Sequence, residues 1–195
     1  MESLEHRNIS CYNLTKSVTP PYVTPKSFTE LQNFLQLAKD NNQHITIKAG
    51  GNSYSDIFLT SENLLIDVSK LNSILSFDNE NGIVIVQSGV RIGTLLKTIM
   101  PKNWGLVGLS GSVMDQIGGM ISSNTHGKDT WKNGNFSQNI LSFRILFSDG
   151  TIENIEREKN SELFNGVVGG LGFLGIVMDI TLKLTKIMKI YKKIK

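Results

Sequence analysis

The clearest repeat of apolar positions lies between residues 27 and 41 and predicts an amphipathic helix. Ser27 is a typical N-cap residue, and Glu30 follows three positions later as its capping-box partner. Apolar side chains then recur at helical spacing, at Leu31, Phe34, Leu35 and Ala38. We expect the helix to end at Asn41. The next apolar segment, 44–48, has a strand pattern and runs directly into the glycine-containing stretch 49–56, which gives the order helix, strand, glycine loop.

Further apolar segments predict short strands at 64–68, 83–87, 140–147, 151–155 and 176–184, and short helices at 91–100 and 162–168. We expect the turn sequence Asn79–Gly82 to lie between strands 64–68 and 83–87, and Ser148–Gly150 to close a hairpin. Segment 18–24 contains Pro20 and Pro21, so we expect it to form only an edge strand. The pattern predicts an α+β fold of mixed sheets flanked by helices.

We divide the chain into an arm over residues 1–17, a main domain over 18–185 and a basic tail over 186–195. The arm has no clear periodicity, and the main domain is expected to have two lobes, about 18–90 and 91–185. Five of the 20 basic residues fall between Lys186 and Lys195, a stretch without an acidic residue. The tail could form an amphipathic helix for an anionic membrane surface. We interpret it instead as the exposed start of a missing domain, and we do not expect membrane binding.

Composition limits the classes of function. With 39% hydrophobic and 19% charged residues, the 195-residue chain is typical of a folded soluble protein. Outside the tail, acidic residues outnumber basic ones, which argues against a nucleic-acid-binding surface. Cys11 is the single cysteine, so neither an intrachain disulfide nor a thiolate zinc site is possible, and we predict no metal site. The start of the chain lacks the apolar run of a signal peptide, and we expect a cytoplasmic protein.

Three segments rich in glycine stand out: 49–56, 109–127 and 169–175. Glycine lets the backbone approach a ligand closely, and successive amide groups can then point at phosphate oxygens. The same glycines could also serve as ordinary turn residues. Gly170–Gly175 has the spacing GxGxxG but precedes a strand instead of a helix, so it is not a Rossmann fingerprint. From spacing alone, both a ligand-binding and a turn interpretation stay open.

Four sequence motifs occur in a family order: VTPKSFTELQ, IKAGGNSYSD, LSGSVMDQIGGMISSNTHGKD and GGLGFLGIVMDITLKL. Together they resemble the FAD-binding, PCMH-type domain of the flavoprotein superfamily of vanillyl-alcohol oxidase and p-cresol methylhydroxylase. The resemblance covers about residues 22–185. Within the superfamily, the stretch 111–134 is most similar to decaprenylphosphoryl-ribose 2′-oxidase and to sugar-lactone and alditol oxidases. It implies a two-lobed FAD-binding domain of an oxidoreductase that transfers hydride from a sugar-like alcohol to the flavin.

The resemblance also implies a set of FAD-binding residues. The first loop would surround the pyrophosphate with the backbone of Ala49, Gly50, Gly51, Asn52 and Ser53, flanked by Tyr54 and Asp56. The second would follow the pyrophosphate and ribitol with Gly111, Ser112, Gln116, Gly118 and Gly119. Ser123, Asn124, Thr125 and His126 would lie beside the flavin, and Ile176 at the adenine end. Other roles remain open: a packed aromatic for Tyr54, a loop cap for Asp56 and a hydrogen-bonded structural residue for His126.

One departure from the family pattern concerns the link to FAD. Members that bind FAD covalently often have histidine where this chain has Asn52. An amide nitrogen is too weak a nucleophile for that link, so we expect non-covalent FAD. In the family a second domain supplies most of the substrate pocket, and we can name no catalytic residue here. That domain, or a separate subunit, would be needed for activity. The alternative is a flavin-binding module without turnover.

Overall fold

The computed structural model describes residues 4–187, in which thirteen strands and five α-helices follow one another. The strands are β1 Glu5–His6, β2 Ile9–Ser10, β3 Ser17–Val18, β4 Pro21–Val23, β5 Ile45–Lys48, β6 Leu64–Asp67, β7 Ile74–Asp78, β8 Ile83–Gln87, β9 Trp104–Gly105, β10 Ile140–Leu146, β11 Ile152–Glu156, β12 Ile176–Lys183 and β13 Thr185–Lys186. The helices are α1 Phe28–Asp40, α2 Ile92–Ile99, α3 Ile117–Ser122, α4 Thr130–Asn133 and α5 Ser161–Val167. The predicted α+β class with mixed sheets is therefore confirmed.

The first sheet has four strands in the order β1-β4-β6-β5. Strands β4, β6 and β5 run parallel, and β1 pairs with β4 in the antiparallel sense. The expectation of an edge strand at 18–24 is wrong, because β4 lies between β1 and β6. The two prolines do not prevent this. Pro21 is the first residue of the strand, so Tyr22 and Val23 are left to pair with β6.

The second sheet is antiparallel, with five strands in the order β11-β10-β12-β8-β7. The hairpin of β10 and β11 forms as predicted. The turn at Asn79–Gly82 joins β8 to β7, a strand that the sequence pattern did not reveal, and not to strand 64–68 of the first sheet. β7 escaped prediction because its side chains are half-buried or exposed in no strict alternation.

Helix α1 begins and ends where its capping residues predict. The Ser27 side chain accepts a hydrogen bond from the Glu30 amide at 3.1 Å. Glu30 completes the box one residue early, since its carboxylate accepts from the Lys26 amide at 2.8 Å. The buried face of α1 packs against β6 and against Leu146 and Met178 of the second sheet. The helix therefore joins both sheets in one core, where each buried leucine contributes about 2 kcal/mol.

The larger core lies on the other side of the second sheet. Side chains of α2, α3 and α5 cover this side, among them Leu95, Ile121 and Phe164. The chain passes from the first sheet to the second between residues 67 and 74. The division into arm, lobes and tail remains a prediction, and residues 188–195 of the basic tail lie outside the described residues. Between residues 4 and 187, no helix is both long and apolar enough to cross a membrane.

Candidate cofactor-binding cavity

A cavity of about 680 Å³ opens between the two sheets, and all three glycine-rich segments contribute to its wall. The first glycine loop, residues 49–56, follows β5 directly. The second glycine loop, residues 109–116, leads into α3. Residues 171–177 enclose the third side as the chain enters β12, and Tyr12 of the N-terminal segment lies at a fourth. Segments far apart in sequence therefore form one site.

The amide groups of the first glycine loop are available to a ligand. Within residues 4–187, the backbone N–H groups of Gly50, Gly51, Asn52 and Ser53 donate no hydrogen bond. Gly51 has a φ of 69°, in the left-handed region, and this conformation belongs to the sharp turn of the loop. The four residues are half-buried at the cavity wall. Successive unpaired backbone donors of this kind can bind an acceptor-rich group such as a phosphate.

A buried ion pair supports this loop from below. Lys48 Nζ lies 2.8 Å from Asp67 Oδ2 and donates to the Ala49 carbonyl at 3.1 Å. Asp67 also accepts hydrogen bonds from the Tyr22 hydroxyl and the Ser69 amide, at 2.6 and 2.8 Å. Burial by itself raises the pKa of Asp67, but the charge of Lys48 and these hydrogen bonds outweigh it and lower the pKa below its ordinary value. The carboxylate is therefore charged, and it fixes Lys48 beneath the loop.

The two glycine loops are connected through Asp115. Its carboxylate accepts a hydrogen bond from Asn52 Nδ2 at 2.6 Å and another from the Ser110 hydroxyl. The Ile117 and Gly118 amides bond to the carbonyls of Val90 and Ser88, which fixes the end of the second loop beside β8. A Cβ on Gly118 would lie 2.9 Å from the Ser88 Cβ, so this position admits only glycine without a shift. These hydrogen bonds fix the first glycine loop, the second glycine loop and the end of β8 relative to one another.

Comparison with known proteins identifies the family of the chain. The model of the FAD binding domain family matches residues 20–156, most of the chain. The chain belongs to this family. It is 32% identical over 163 residues to a putative D-arabinono-1,4-lactone oxidase of Neurospora crassa, a match that covers 83% of the chain and 29% of the relative. It is 30% identical over 149 residues to the decaprenylphosphoryl-beta-D-ribose oxidase of Mycolicibacterium smegmatis, covering 76% of the chain and 32% of the relative.

The fold agrees with the family assignment. An alkyldihydroxyacetonephosphate synthase structure aligns with a TM-score of 0.77 at 22% identity, over 86% of this chain and 32% of that one. The predicted resemblance to FAD-binding domains of this flavoprotein superfamily, with sugar-lactone and ribose oxidases among the relatives, is confirmed. The chain spans about a third of the length of these relatives.

The chemistry of the cavity fits FAD. Ser88 and Gln116 line the wall and are 1% and 4% exposed, yet Ser88 Oγ and Gln116 Oε1 have no hydrogen-bond partner within residues 4–187. Leaving a buried polar atom unpaired costs about 1–3 kcal/mol. A hydroxyl or N–H group of the ribityl chain, the ribose or a ring could pair with them. With FAD bound, these residues would hold its polar chain against α3, and the first glycine loop would hold its pyrophosphate.

The structure brings nearly all of the predicted site residues to this cavity. Lining it are Ala49, Gly50, Gly51, Asn52, Ser53, Tyr54, Gly111, Ser112, Gln116, Gly118, Gly119, Ser123, Thr125, His126 and Ile176. Asp56 and Asn124 are absent from the wall. His126 is exposed and forms no hydrogen bond with residues 4–187, so the structural role that we considered for it is not supported. Whether these residues contact FAD remains a prediction.

The two residues away from the wall differ in their surroundings. Asp56 faces Lys16 with 2.7 Å between carboxylate and ammonium, and this hydrogen bond lowers the pKa of Asp56. It is therefore an ion-pair partner of the N-terminal segment, and its contact with FAD remains a prediction. Asn124 has a φ of 40° beside Gly169, and its Oδ1 is buried without a hydrogen-bond partner in the described part of the chain.

Several lining residues were missed by sequence reasoning. Asp115 lies between two predicted positions, and its place inside a glycine loop was a usable signal. Ser88 follows a predicted strand in an ordinary sequence and gave no signal. Tyr12 belongs to a segment without periodicity, and only the fold shows that it reaches the cavity. Among residues 4–187, no group of three or more His, Cys, Asp or Glu side chains could hold a metal ion.

Proposed function

We propose that this domain binds FAD non-covalently in the cavity and forms the cofactor half of an oxidoreductase for a sugar-like alcohol. One observation supports this most directly: the unpaired amide groups of Gly50, Gly51, Asn52 and Ser53 at the cavity wall, in a chain of the FAD binding domain family. Backbone amides recognise a pyrophosphate without needing a cationic side chain in direct contact.

Each wall of the cavity has a part in binding. The first glycine loop would donate hydrogen bonds to the pyrophosphate, and the ion pair of Lys48 and Asp67 would hold this loop in place. Asn52 and Ser110 each donate a hydrogen bond to one oxygen of Asp115, which satisfies part of the acceptor capacity of this carboxylate. When bound, the flavin would accept the hydride from the substrate. The chain's own residues hold and orient it.

The substrate class is inferred from the relatives. Those named above are oxidases of a sugar lactone and of a ribose derivative, so we propose a small alcohol or sugar as substrate. Because the chain covers about a third of their length, we propose that a further domain or a separate subunit supplies the substrate pocket. A cytoplasmic location is likewise proposed from the sequence, and cell fractionation tests it.

A flavin-binding module without turnover is the second candidate, and one observation favours it. Among the described residues that line the cavity, Asp115 is the sole carboxylate, and both of its oxygens accept hydrogen bonds from neighbouring side chains. A general base needs a free lone pair within reach of the substrate proton. Each oxygen of Asp115 keeps a second lone pair, but the carboxylate joins the two glycine loops through its hydrogen bonds, which favours a structural role for it.

FAD binding is tested by reconstitution. Purified protein mixed with excess FAD and desalted should remain yellow, with one FAD per chain and the absorbance spectrum of oxidised flavin. Heat-unfolded protein carried through the same steps is the control and should lose its colour. Folded protein that emerges colourless, with no binding in a flavin fluorescence titration, would refute the proposal.

A further inference from the structure

A hairpin at the start of the chain reaches the mouth of the cavity. Strands β2 and β3 form this N-terminal hairpin, residues 9–18, and residues 11–16 form its loop. Cys11 stabilises the loop through hydrogen bonds of its buried thiol. Its Sγ donates to Asn13 Oδ1 at 2.9 Å and accepts from the Lys16 amide at 3.3 Å. The conformation of the loop is therefore defined by its own hydrogen bonds.

Three contacts hold this hairpin to the first glycine loop. Asn13 Nδ2 donates to the Tyr54 carbonyl at 3.3 Å, and Lys16 pairs with Asp56 at 2.7 Å. The rings of Tyr12 and Tyr54 meet edge to face, with centroids 5.3 Å apart and planes at 87°. The hairpin thus places Tyr12 at a fixed position beside the loop that we assign to the pyrophosphate.

The two tyrosines expose their rings at the cavity. Tyr12 is 56% exposed and Tyr54 76%, and both line the cavity wall, whereas Tyr22 is only 5% exposed in the core. A T-shaped pair leaves ring faces open for a further aromatic partner, and aromatic stacking contributes beyond the area that it buries. FAD carries two flat ring systems, one at each end of its pyrophosphate.

We propose that Tyr12 and Tyr54 form a stacking subsite for one flat ring system of FAD, and that the N-terminal hairpin positions Tyr12 for it. This inference rests on the proposed function. It adds a ligand contact from a segment outside every glycine-rich motif. Since the ring does the binding, the Tyr12 hydroxyl is dispensable and the aromatic face is required.

The test compares Tyr12→Ala, Tyr12→Phe and a matched control, Leu14→Ala. Leu14 lies on the same loop, is 77% exposed and does not line the cavity. Dissociation constants are measured for FAD, for FMN, which carries only the isoalloxazine ring, and for ADP, which carries only adenine. Thermal unfolding of each unliganded variant checks that the fold is retained.

We expect Tyr12→Ala to weaken FAD binding about 5- to 150-fold, the range that loss of one stacked ring produces. Tyr12→Phe and Leu14→Ala should bind FAD as the unchanged protein does. The loss should appear with FMN or with ADP, whichever carries the stacked ring. Unchanged FAD affinity in Tyr12→Ala, or an equal loss with both probes, would overturn the subsite. Absence of FAD binding in the unchanged protein would instead refute the proposed function itself.

Discussion

Asn52 connects the two glycine loops through a single side-chain hydrogen bond to Asp115. Its amide nitrogen is engaged in that bond as well as being a weak nucleophile. Two independent reasons therefore oppose a covalent link to FAD at this position. The hydrogen bond to Asp115 could not be foreseen from the sequence, because Asp115 was not among the predicted site residues.

The consequence for the bound cofactor is testable by acid precipitation. We expect all flavin of the FAD-loaded protein to appear in the supernatant, since hydrogen bonds and stacking do not survive denaturation. The measurement is flavin fluorescence in the pellet and the supernatant, with a mixture of FAD and unrelated protein as the blank. Fluorescence that stays with the washed, denatured polypeptide would contradict non-covalent binding.

At Gly51 we expect FAD binding to depend on the conformation of the backbone. Its φ of 69° is unfavourable for other residues, and a Cβ would lie 3.3 Å from Lys48 Cε. The change Gly51→Val should abolish FAD binding and cost about 1–2 kcal/mol of stability from backbone strain. Flavin titration and circular dichroism measure the two effects separately.

Gly150 provides the matched control. It has a φ of 95° in the turn between β10 and β11, and nothing lies within 4 Å of a Cβ there. Gly150→Val should cause comparable strain without changing FAD affinity. If Gly51→Val binds FAD normally, the first glycine loop does not approach the cofactor as proposed.

At the scale of secondary-structure elements, the sequence predicted those helices and hairpins that depend on residues close together in the chain. Helix α1 and the hairpin of β10 and β11 depend on caps, turns and periodicity, and both form as expected. Strand order depends on long-range pairing, which no local pattern encodes. The internal position of β4 and the existence of β7 were therefore missed. The site followed the same rule: glycine loops were visible, whereas Ser88 and Tyr12 required the fold.

The ion pair between β5 and β6 leads to a prediction at this scale. In Asp67→Asn the charge of Lys48, whose side chain is 16% exposed, remains without its carboxylate. Removing one partner of a buried pair costs about 3 kcal/mol. We therefore expect the free energy of unfolding, measured in urea, to fall by about that amount. FAD binding should also weaken, because Lys48 donates a hydrogen bond to the Ala49 carbonyl of the first glycine loop. Tyr22→Phe, which keeps both charges, should lose about 1–2 kcal/mol. Equal stability of Asp67→Asn and the unchanged protein would contradict this role.

The pH dependence of this pair has a definite sign. The pKa of Asp67 is lowered in the folded protein from a value of 3.8. Its contribution to stability is therefore complete above that value and is lost as the pH falls through the lower, folded pKa. Between pH 5 and pH 2, the unfolding midpoint should fall more steeply in the unchanged protein than in Asp67→Asn. Parallel curves would show that another carboxylate controls the acid transition.

For the whole molecule, the open cavity predicts binding without turnover. Substrate positioning contributes about 7–11 kcal/mol in a complete active site, and a general base a further ~10²–10⁴-fold in rate. We propose that both come from a further domain or subunit, since Asp115, the sole carboxylate among the described residues of the wall, is engaged between the two glycine loops. We expect no anaerobic bleaching of FAD-loaded protein by aldoses, alditols or sugar lactones, while dithionite or light still reduces the flavin. Rapid bleaching by any one sugar would show a complete site in this chain.

The distribution of the cavity wall along the chain also determines when the cavity can exist during folding. Its lining extends from Tyr12 to Val177, so the wall is complete only after the two ends of the described chain have come together. Contacts of such sequence separation form late. FAD should therefore slow the unfolding rate while leaving the refolding rate almost unchanged, as expected for interactions absent from the transition state. Bound FAD would therefore make this domain kinetically more stable, because the folded state would unfold more slowly, but it would not speed folding.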